Sequence, residues 1–373
     1  MKNARVVFDH GPLPDGTLFA APRHIIIADQ PSDVPAALAA LEDAQAGGHW
    51  LAGYASYELG YLLSPKLRDF LPTRRQTPLL QFGVFDAPQP SRLAAAKAPA
   101  TLSIPAPDWQ RDDYVAAFDK VHDFICRGDI YQANLTFPMS AQRTGTVDGL
   151  YAALRAKQAA PFGALVDLGG PVLLSRSPEL FFHLDPRGKM TARPMKGTAP
   201  RGASPDADEK QKDWLRSSEK NQAENLMIVD LLRNDMSRIS QIGTVEVPRL
   251  FAIETYQTLH QMTSTITAQI RSGTTISEIF EALFPCGSIT GAPKIRAMQI
   301  LATLEPKARD AYCGAIGWIA PDGAMSFGVA IRTLICGPDN RVTLNVGGGV
   351  VYDSTADDEY AEALLKARFA VLG

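Results

Sequence analysis

Residues 175–202 read SRSPELFFHLDPRGKMTARPMKGTAPRG, and this stretch decides the fold expected of the chain. Two short strands joined by Asp185-Pro186-Arg187-Gly188 predict a β-hairpin. Pro194 fixes one backbone angle and biases Arg193 toward an extended conformation. Gly197 lets the chain turn, or lets another group approach the backbone. Between them stands Lys196, so a rigid segment presents one amine. Ser177-Pro178-Glu179 sets a carboxylate at the head of the apolar run Leu180-Phe181-Phe182. A hairpin returns its second strand beside its first, so Glu179 and Lys196 can share one end or face. Taken alone, they also suit a strand-edge glutamate and a surface lysine, the usual state of both residue types.

Upstream, His24–Ala28 reads as a buried strand, Val34–Ala46 as a helix and Gly53–Gly60 as strand and turn. Residues 86–108 are rich in Pro and Ala without a period and read as a linker. Tyr114, Phe118, Val121 and Ile125 recur at helical spacing between Arg111 and Arg127, up to Gly128. Strands follow at Ile130–Ser140, Ala164–Leu168 and Val172–Leu174, with a helix at Val147–Ala159. Ser204-Pro205-Asp206 carries the cap, proline and early acid of a helix start. That helix should run, with or without a break, to about Leu232. Val245–Ile270 is β-branched and suits two strands, and helices are expected at Ile276–Leu283, Ala292–Leu304 and Asp357–Leu372. Residues 313–352 read as a meander. Many hairpins and few strand–helix–strand crossovers imply an α+β fold, with large, mainly antiparallel sheets packed together and helices on the outside. An N-terminal α+β region (1–100) and a second region (109–373) are expected to interweave in one globule.

The 373 residues are 46% hydrophobic and 21% charged, an ordinary globular composition. A net charge of −3 offers no basic surface for nucleic acid. No apolar run approaches the roughly 20 residues that cross a bilayer. The N-terminus lacks the apolar core of a signal peptide, so a cytoplasmic protein without a membrane role is expected. Cys126, Cys286, Cys313 and Cys336 are far apart and form no CxxC pair, which suits reduced thiols. No G-x-S-x-G or G-x-C-x-G nucleophile elbow occurs.

Several charges interrupt apolar patterns. Glu224 shares a helical face with Met227, Ile228 and Leu231. A carboxylate there needs a partner, either Lys220 one turn earlier or a metal. Glu359 and Glu362 share a face of the last helix, with Lys366 one turn beyond Glu362. They suit a solvated ion pair, or, together with Glu224, oxygen ligands for Mg2+. Gly347-Gly348-Gly349 lies just upstream and permits close backbone approach by an anion. A second glycine-rich turn, Cys286-Gly287-Ser288-Ile289-Thr290-Gly291, leads straight into an expected helix whose N–H groups suit carboxylate or phosphate. Its spacing is not that of a P-loop. Arg332, inside the apolar run Phe327–Ile335, suits either an internal ion pair or a bidentate carboxylate. Together these groups fit a small dianionic substrate.

In chain order, SPELFF, RPMKGT, AENLMIVDLLRND, FPCGSITGAPKIRAMQI, GAIGWI, FGVAIRT, GGGVVYDS and DEYAEALLKA resemble the chorismate-utilising enzymes. That family includes anthranilate, aminodeoxychorismate, isochorismate and salicylate synthases. The resemblance is dense over about residues 110–373 and weak before residue 100, where only Gly53–Gly60 matches. It makes residues 109–373 the chorismate-binding catalytic region. Lys196 in Pro194-Met195-Lys196-Gly197-Thr198 is similar to the branch that aminates chorismate at C4; anthranilate synthases carry alanine there. Water-using relatives place a general-base lysine where this chain has Gln132.

The resemblance implies roles. Glu224 and Glu362 would bind Mg2+, which grips the ring carboxylate of chorismate. Gly287, Ser288, Thr290, Gly347 and Gly348 would surround carboxylates. Tyr312, Arg332 and Lys366 would hold the substrate, and Gly197 and Thr198 would line the ring. Glu179 would be the general acid at C4 and Lys196 the nucleophile at C2. A separate glutamine amidotransferase subunit is implied as the ammonia source, and no fused lyase is expected after Gly373. The other enzyme reading is anthranilate synthase component I; a reading of another class is a silent chorismate-binding regulatory subunit. Two positions depart from the family. Gln261-Met262-Thr263-Ser264 stands where His-Leu-Val-Ser is frequent, with His260 one residue early and therefore on the opposite strand face. Cys286 replaces a common glycine and reads as a small buried thiol.

Overall fold

The structure, a computed structural model, describes residues 4–91, 100–256 and 259–372. Its strands form two large sheets in which every described pair is antiparallel. The first runs Gly291–Ala292, Gln132–Thr144, Arg341–Val350, Thr333–Cys336, Val172–Ser177, Phe162–Asp167, Arg5–Phe8, Thr17–Ala20, Gln89–Pro90. The second runs Met195–Pro200, Leu259–Gln269, Lys189–Arg193, Leu180–Leu184, Met325–Val329, Ala315–Ile319, Trp50–Ala55, Leu80–Phe85, His24–Ala28, with Glu246–Thr255 also on Leu259–Gln269.

Trp50–Ala55 and Leu80–Phe85 are covered on both faces, so they are buried almost throughout rather than alternating. Leu51 and Ala55 join a core with the helices Val34–Ala46, Glu219–Ser237 and Ile276–Leu283. Ala52 and Tyr54, pointing the other way, join Val6, Phe8, Phe19, Leu173 and Ile335 from the first sheet in the layer between the sheets. On the outer side of the first sheet, Leu165, Leu174 and Leu334 meet Tyr114, Phe118, Ile300, Leu301 and Ala363 of three helices. The expected α+β architecture of packed antiparallel sheets with outer helices is the one observed.

One ribbon links the two sheets. In the first sheet Val172–Ser177 pairs with Thr333–Cys336, with Ser175 opposite Thr333. In the second the same two chain segments continue as Leu180–Leu184 and Met325–Val329, with Leu180 opposite Gly328. Both strands therefore change sheets at the same place, and Glu179 and Arg332 sit in the two crossings. Backbone bonds from Arg176 N to Arg332 O (3.0 Å) and Val329 N to Glu179 O (3.1 Å) hold the crossing together. Arg332 adopts φ +50°, a left-handed conformation rare for a residue with a side chain. This corrects the reading of Arg332 inside one strand and of residues 313–352 as one meander. A continuous apolar run hides a change of sheet, because both halves are buried.

The hairpin turn is as expected: Gly188, at φ +80°, donates to Asp185 O at 2.9 Å. The long helix is broken. Pro205–Ser217 ends at Ser218, whose hydroxyl caps Glu219–Ser237. The glycine-rich turn does not lead straight into a helix. Gly287–Ile289 is a single tight turn, Gly291–Ala292 pairs with Gln132–Ala133, and the helix begins only at Lys294. Of the expected linker, residues 92–99 lie outside the described residues, while Thr101–Leu102 and Ala106–Pro107 pair with Gln132–Thr144.

Arg309, 2% exposed, braces this turn from behind. Its guanidinium grips Glu305 at 2.7 and 2.8 Å and donates to Ile289 O (3.1 Å) and Asn134 O (2.7 Å). It also lies 4.4 Å from the Tyr57 ring centre. Arg309→Met would leave Glu305 buried without a countercharge, so unfolding in urea should lose about 3–5 kcal/mol of stability. A loss below about 1 kcal/mol would contradict this bracing.

Candidate active site

Lys189–Arg193 and Met195–Pro200 run along one edge of Leu259–Gln269, interrupted at Pro194. The register shifts between Met195 and Thr198, so the chain bulges at Lys196-Gly197. Gly197 has φ +81°, and a Cβ there would lie 2.9 Å from Asn221. Gln261 secures the bulge, donating to Gly197 O at 2.7 Å and accepting from the Thr198 hydroxyl at 3.1 Å. His260 points the other way, as strand alternation requires. Buried, it contacts Asp208 and Thr255 at 2.9 Å each. Asp208 in turn takes two bonds from Arg201, and that guanidinium holds its carboxyl well below the usual range. His260 is thus an anchor for the segment after the bulge, and Gln261 is the residue that touches it.

The Lys196 amine lies over Gly349. A Cβ on Gly349 would come 3.1 Å from Lys196 Nζ and 2.6 Å from Gln132 Nε2. A Cβ there would force the ends of these two side chains to shift. Gln132 is fully buried, yet neither its Oε1 nor its Nε2 is hydrogen-bonded to a described residue. An unpaired buried amide costs about 1–3 kcal/mol, so its place beside the amine marks where a polar ligand belongs. The expected glycines have different neighbours. A Cβ on Gly347 would strike Leu135 O at 2.2 Å, and one on Gly348 would meet Glu359 Oε2 at 2.6 Å.

Glu179 is 5% exposed and accepts a 2.6 Å bond from Ser288 Oγ on Oε1. Burial pushes its carboxyl up to about 7, against the pull of Ser288, Lys196, Arg332 and Lys366. Lys196, Arg332 and Lys366 are therefore all within electrostatic reach of one carboxyl. The Arg332 guanidinium makes no hydrogen bond or ion pair with the described residues, so the internal partner considered for it is absent. Burial lowers its proton affinity, and Glu179 partly restores it. Thr290 spends its hydroxyl inside its own turn, on Gly287 O at 3.2 Å and Cys286 O at 3.4 Å. A Cβ on Gly287 would lie 2.5 Å from Leu231. Tyr312 is buried, and the neighbours acting on its phenol are Cys313, Arg309 and Glu305.

Glu224 forms no ion pair with Lys220 or any other described residue. Glu359 is pushed up by burial and by the charges of Glu362 and Glu224, while Ser354 and Lys366 pull it down. Lys366 bonds both Glu362 (2.8 Å) and Gly347 O (2.8 Å). Burial raises Glu362, but Lys366, Lys196 and Lys220 outweigh it and hold the carboxyl low. Glu359 is thus repelled by two carboxylates, which a bound cation would relieve. Among the described residues no group of three or more His, Cys, Asp or Glu could by itself hold a metal ion. Two protein oxygens, completed by substrate and water, is a donor set that suits Mg2+. Gln261 and Cys286 also touch site residues, the first through Gly197 and Thr198 and the second through Ser288, although the sequence gave the first no role and read the second as a small buried thiol. Gln132 stood out in the sequence by its position alone, and its missing partners are visible only in the structure.

Residues 89–371 match the family model for the chorismate binding enzymes. The chain is 42% identical over 263 residues to aminodeoxychorismate synthase component 1 of Escherichia coli (strain K12), covering 69% of this chain and 58% of that protein. It is 42% identical over 257 residues to an aminodeoxychorismate synthase of Streptomyces griseus, covering 69% and 35%. The chain thus spans between 35% and 58% of the length of these relatives. Its fold matches that of anthranilate synthase component I from Streptococcus pneumoniae TIGR4 with a TM-score of 0.81, at 23% identity, over 99% of this chain and 92% of the other. No helix among the described residues is long and apolar enough to cross a membrane.

The Glu179 carboxyl, raised from its ordinary 4.5 to about 7, has a pH-dependent stability signature. Its ionised form destabilises the fold, so the penalty is absent below about pH 4.5 and complete above about pH 7. Glu179→Gln should therefore gain on the parent between pH 5 and pH 8, by up to roughly 3 kcal/mol in denaturant unfolding. An advantage equal at both pH values would contradict the raised carboxyl.

Proposed function

The chain belongs to the chorismate binding enzyme family, and we propose that it aminates chorismate at C4 to give 4-amino-4-deoxychorismate. The observation that carries this reading is the Lys196 amine over Gly349, beside an unpaired Gln132 and within reach of a Glu179 carboxyl raised to about 7. An amine and a protonated acid in one site suit displacement of a hydroxyl.

In the proposed sequence, Lys196 Nζ bonds to ring C2. Both ring double bonds shift by one position, and the C4–O bond breaks. The Glu179 proton leaves with the hydroxyl as water, which leaves Glu179 ionised near Lys196, Arg332 and Lys366. Ammonia then bonds to C4, the double bonds shift back, and the C2–N bond breaks to release the lysine. The ammonium formed at C4 returns one proton to Glu179. The enolpyruvyl group is untouched. Arg332 has a free guanidinium for its carboxylate. Mg2+ held by Glu224 and Glu362 would neutralise the ring carboxylate of chorismate. Gln132 cannot accept a proton as an amine base would, so water attack at C2 lacks a base.

Ammonia would come from a separate glutamine amidotransferase subunit in the cytoplasm, and the product suits 4-aminobenzoate and folate synthesis. The test is product analysis after incubation with chorismate, Mg2+ and ammonium. Aminodeoxychorismate is expected, and Lys196→Ala should lower its formation by roughly a thousandfold or more. Full activity in Lys196→Ala would remove the nucleophile. Fluorescent anthranilate as product would assign the chain to anthranilate synthase component I, and binding without turnover would assign it to a silent regulatory subunit.

A further inference from the structure

We propose that Cys286 is a positioning residue for Glu179: its buried thiol donates to the Ser288 hydroxyl and fixes that hydroxyl as a donor to the carboxyl. The proposal rests on the reading of Glu179 as general acid. Cys286 Sγ lies 3.2 Å from Ser288 Oγ, which donates to Glu179 Oε1 at 2.6 Å. The three residues are 3%, 6% and 5% exposed, so water does not compete freely with these bonds.

A serine hydroxyl has one proton. With that proton committed to Glu179, the Cys286 contact can only run from thiol to hydroxyl. Burial pushes the thiol up to about 12, so it keeps its proton wherever the enzyme would work. The chain of bonds therefore has one direction, from S–H to O–H to Oε1. Glu179 Oε2 makes no hydrogen bond to a described residue and is the oxygen left to carry the acid's proton. Without the thiol, Ser288 is free to turn and accept from Glu179, which would hold the proton on Oε1 and away from the leaving hydroxyl.

The test compares Cys286→Ala with Cys286→Ser by two independent readouts. One is the carboxyl titration of Glu179 in substrate-free protein labelled with δ-13C glutamate, assigned with Glu179→Gln. The other is kcat and KM for chorismate with ammonium. Cys286→Ala should lower kcat about fivefold, the worth of one hydrogen bond, with KM unchanged. Its Glu179 midpoint should rise, because a donor to the ionised carboxylate is weakened. Cys286→Ser restores a donor and should stay within about twofold of the parent with an unmoved midpoint. Parent-like kcat and midpoint in Cys286→Ala would overturn the proposal, as would equal losses in both variants. A midpoint that moves only in Cys286→Ala, in protein that turns over no chorismate, would uphold the relay and remove the acid reading instead.

Discussion

Glu179 and Arg332 occupy the two strands of one ribbon where it leaves one sheet and enters the other. A sheet interior has no room for an unpaired carboxyl or guanidinium, because strand neighbours fill both faces. At the crossing the ladder is interrupted, and two ionisable groups can be buried without breaking a pairing. The left-handed conformation of Arg332 is part of that geometry. The crossing also fixes how the other elements approach. The Gly287–Ile289 turn brings Ser288 onto Glu179, and Arg309 ties the same turn to Gln132–Thr144 through the Ile289 and Asn134 carbonyls.

The charges around this point explain each other. Burial would leave Glu179 neutral, while three nearby cations favour its ionised form; burial wins, but only enough to bring the carboxyl to about 7. Such a group can give and regain a proton near neutrality. On the other side Glu362 and Glu224 both repel Glu359. An arginine with no partner among the described residues and a carboxyl repelled by two others are the features on which the proposed binding of a metal-bound dianion would draw.

Much of the fold was legible because it follows from local chemistry. The Asp185–Gly188 turn, the capped helices and the apolar strands each carry their own signal. The sheet change at Arg332 was not legible, since strands buried in either sheet look alike in sequence. Nor was the break at Ser218, where a helix-capping serine sits within a charged helical pattern. In the site, Lys196 and Glu179 could be singled out by their setting between proline, glycine and apolar runs. Gln261 could not, because its value lies in bonds to Gly197 and Thr198 across the sheet. Gln132 was visible as a residue type, but its lack of partners is a three-dimensional property. Cys286 looked inert for a similar reason: nothing in the sequence places its thiol against Ser288.

The central claim is that Lys196 bonds to the substrate ring. The most direct measurement is the intact mass of the protein after incubation with chorismate and Mg2+ in the absence of ammonium, followed by peptide mapping. A mass increase of chorismate less water is expected, located on Lys196 and discharged when ammonium is added. Turnover to the aminated product with no adduct on Lys196 under any of these conditions would contradict it.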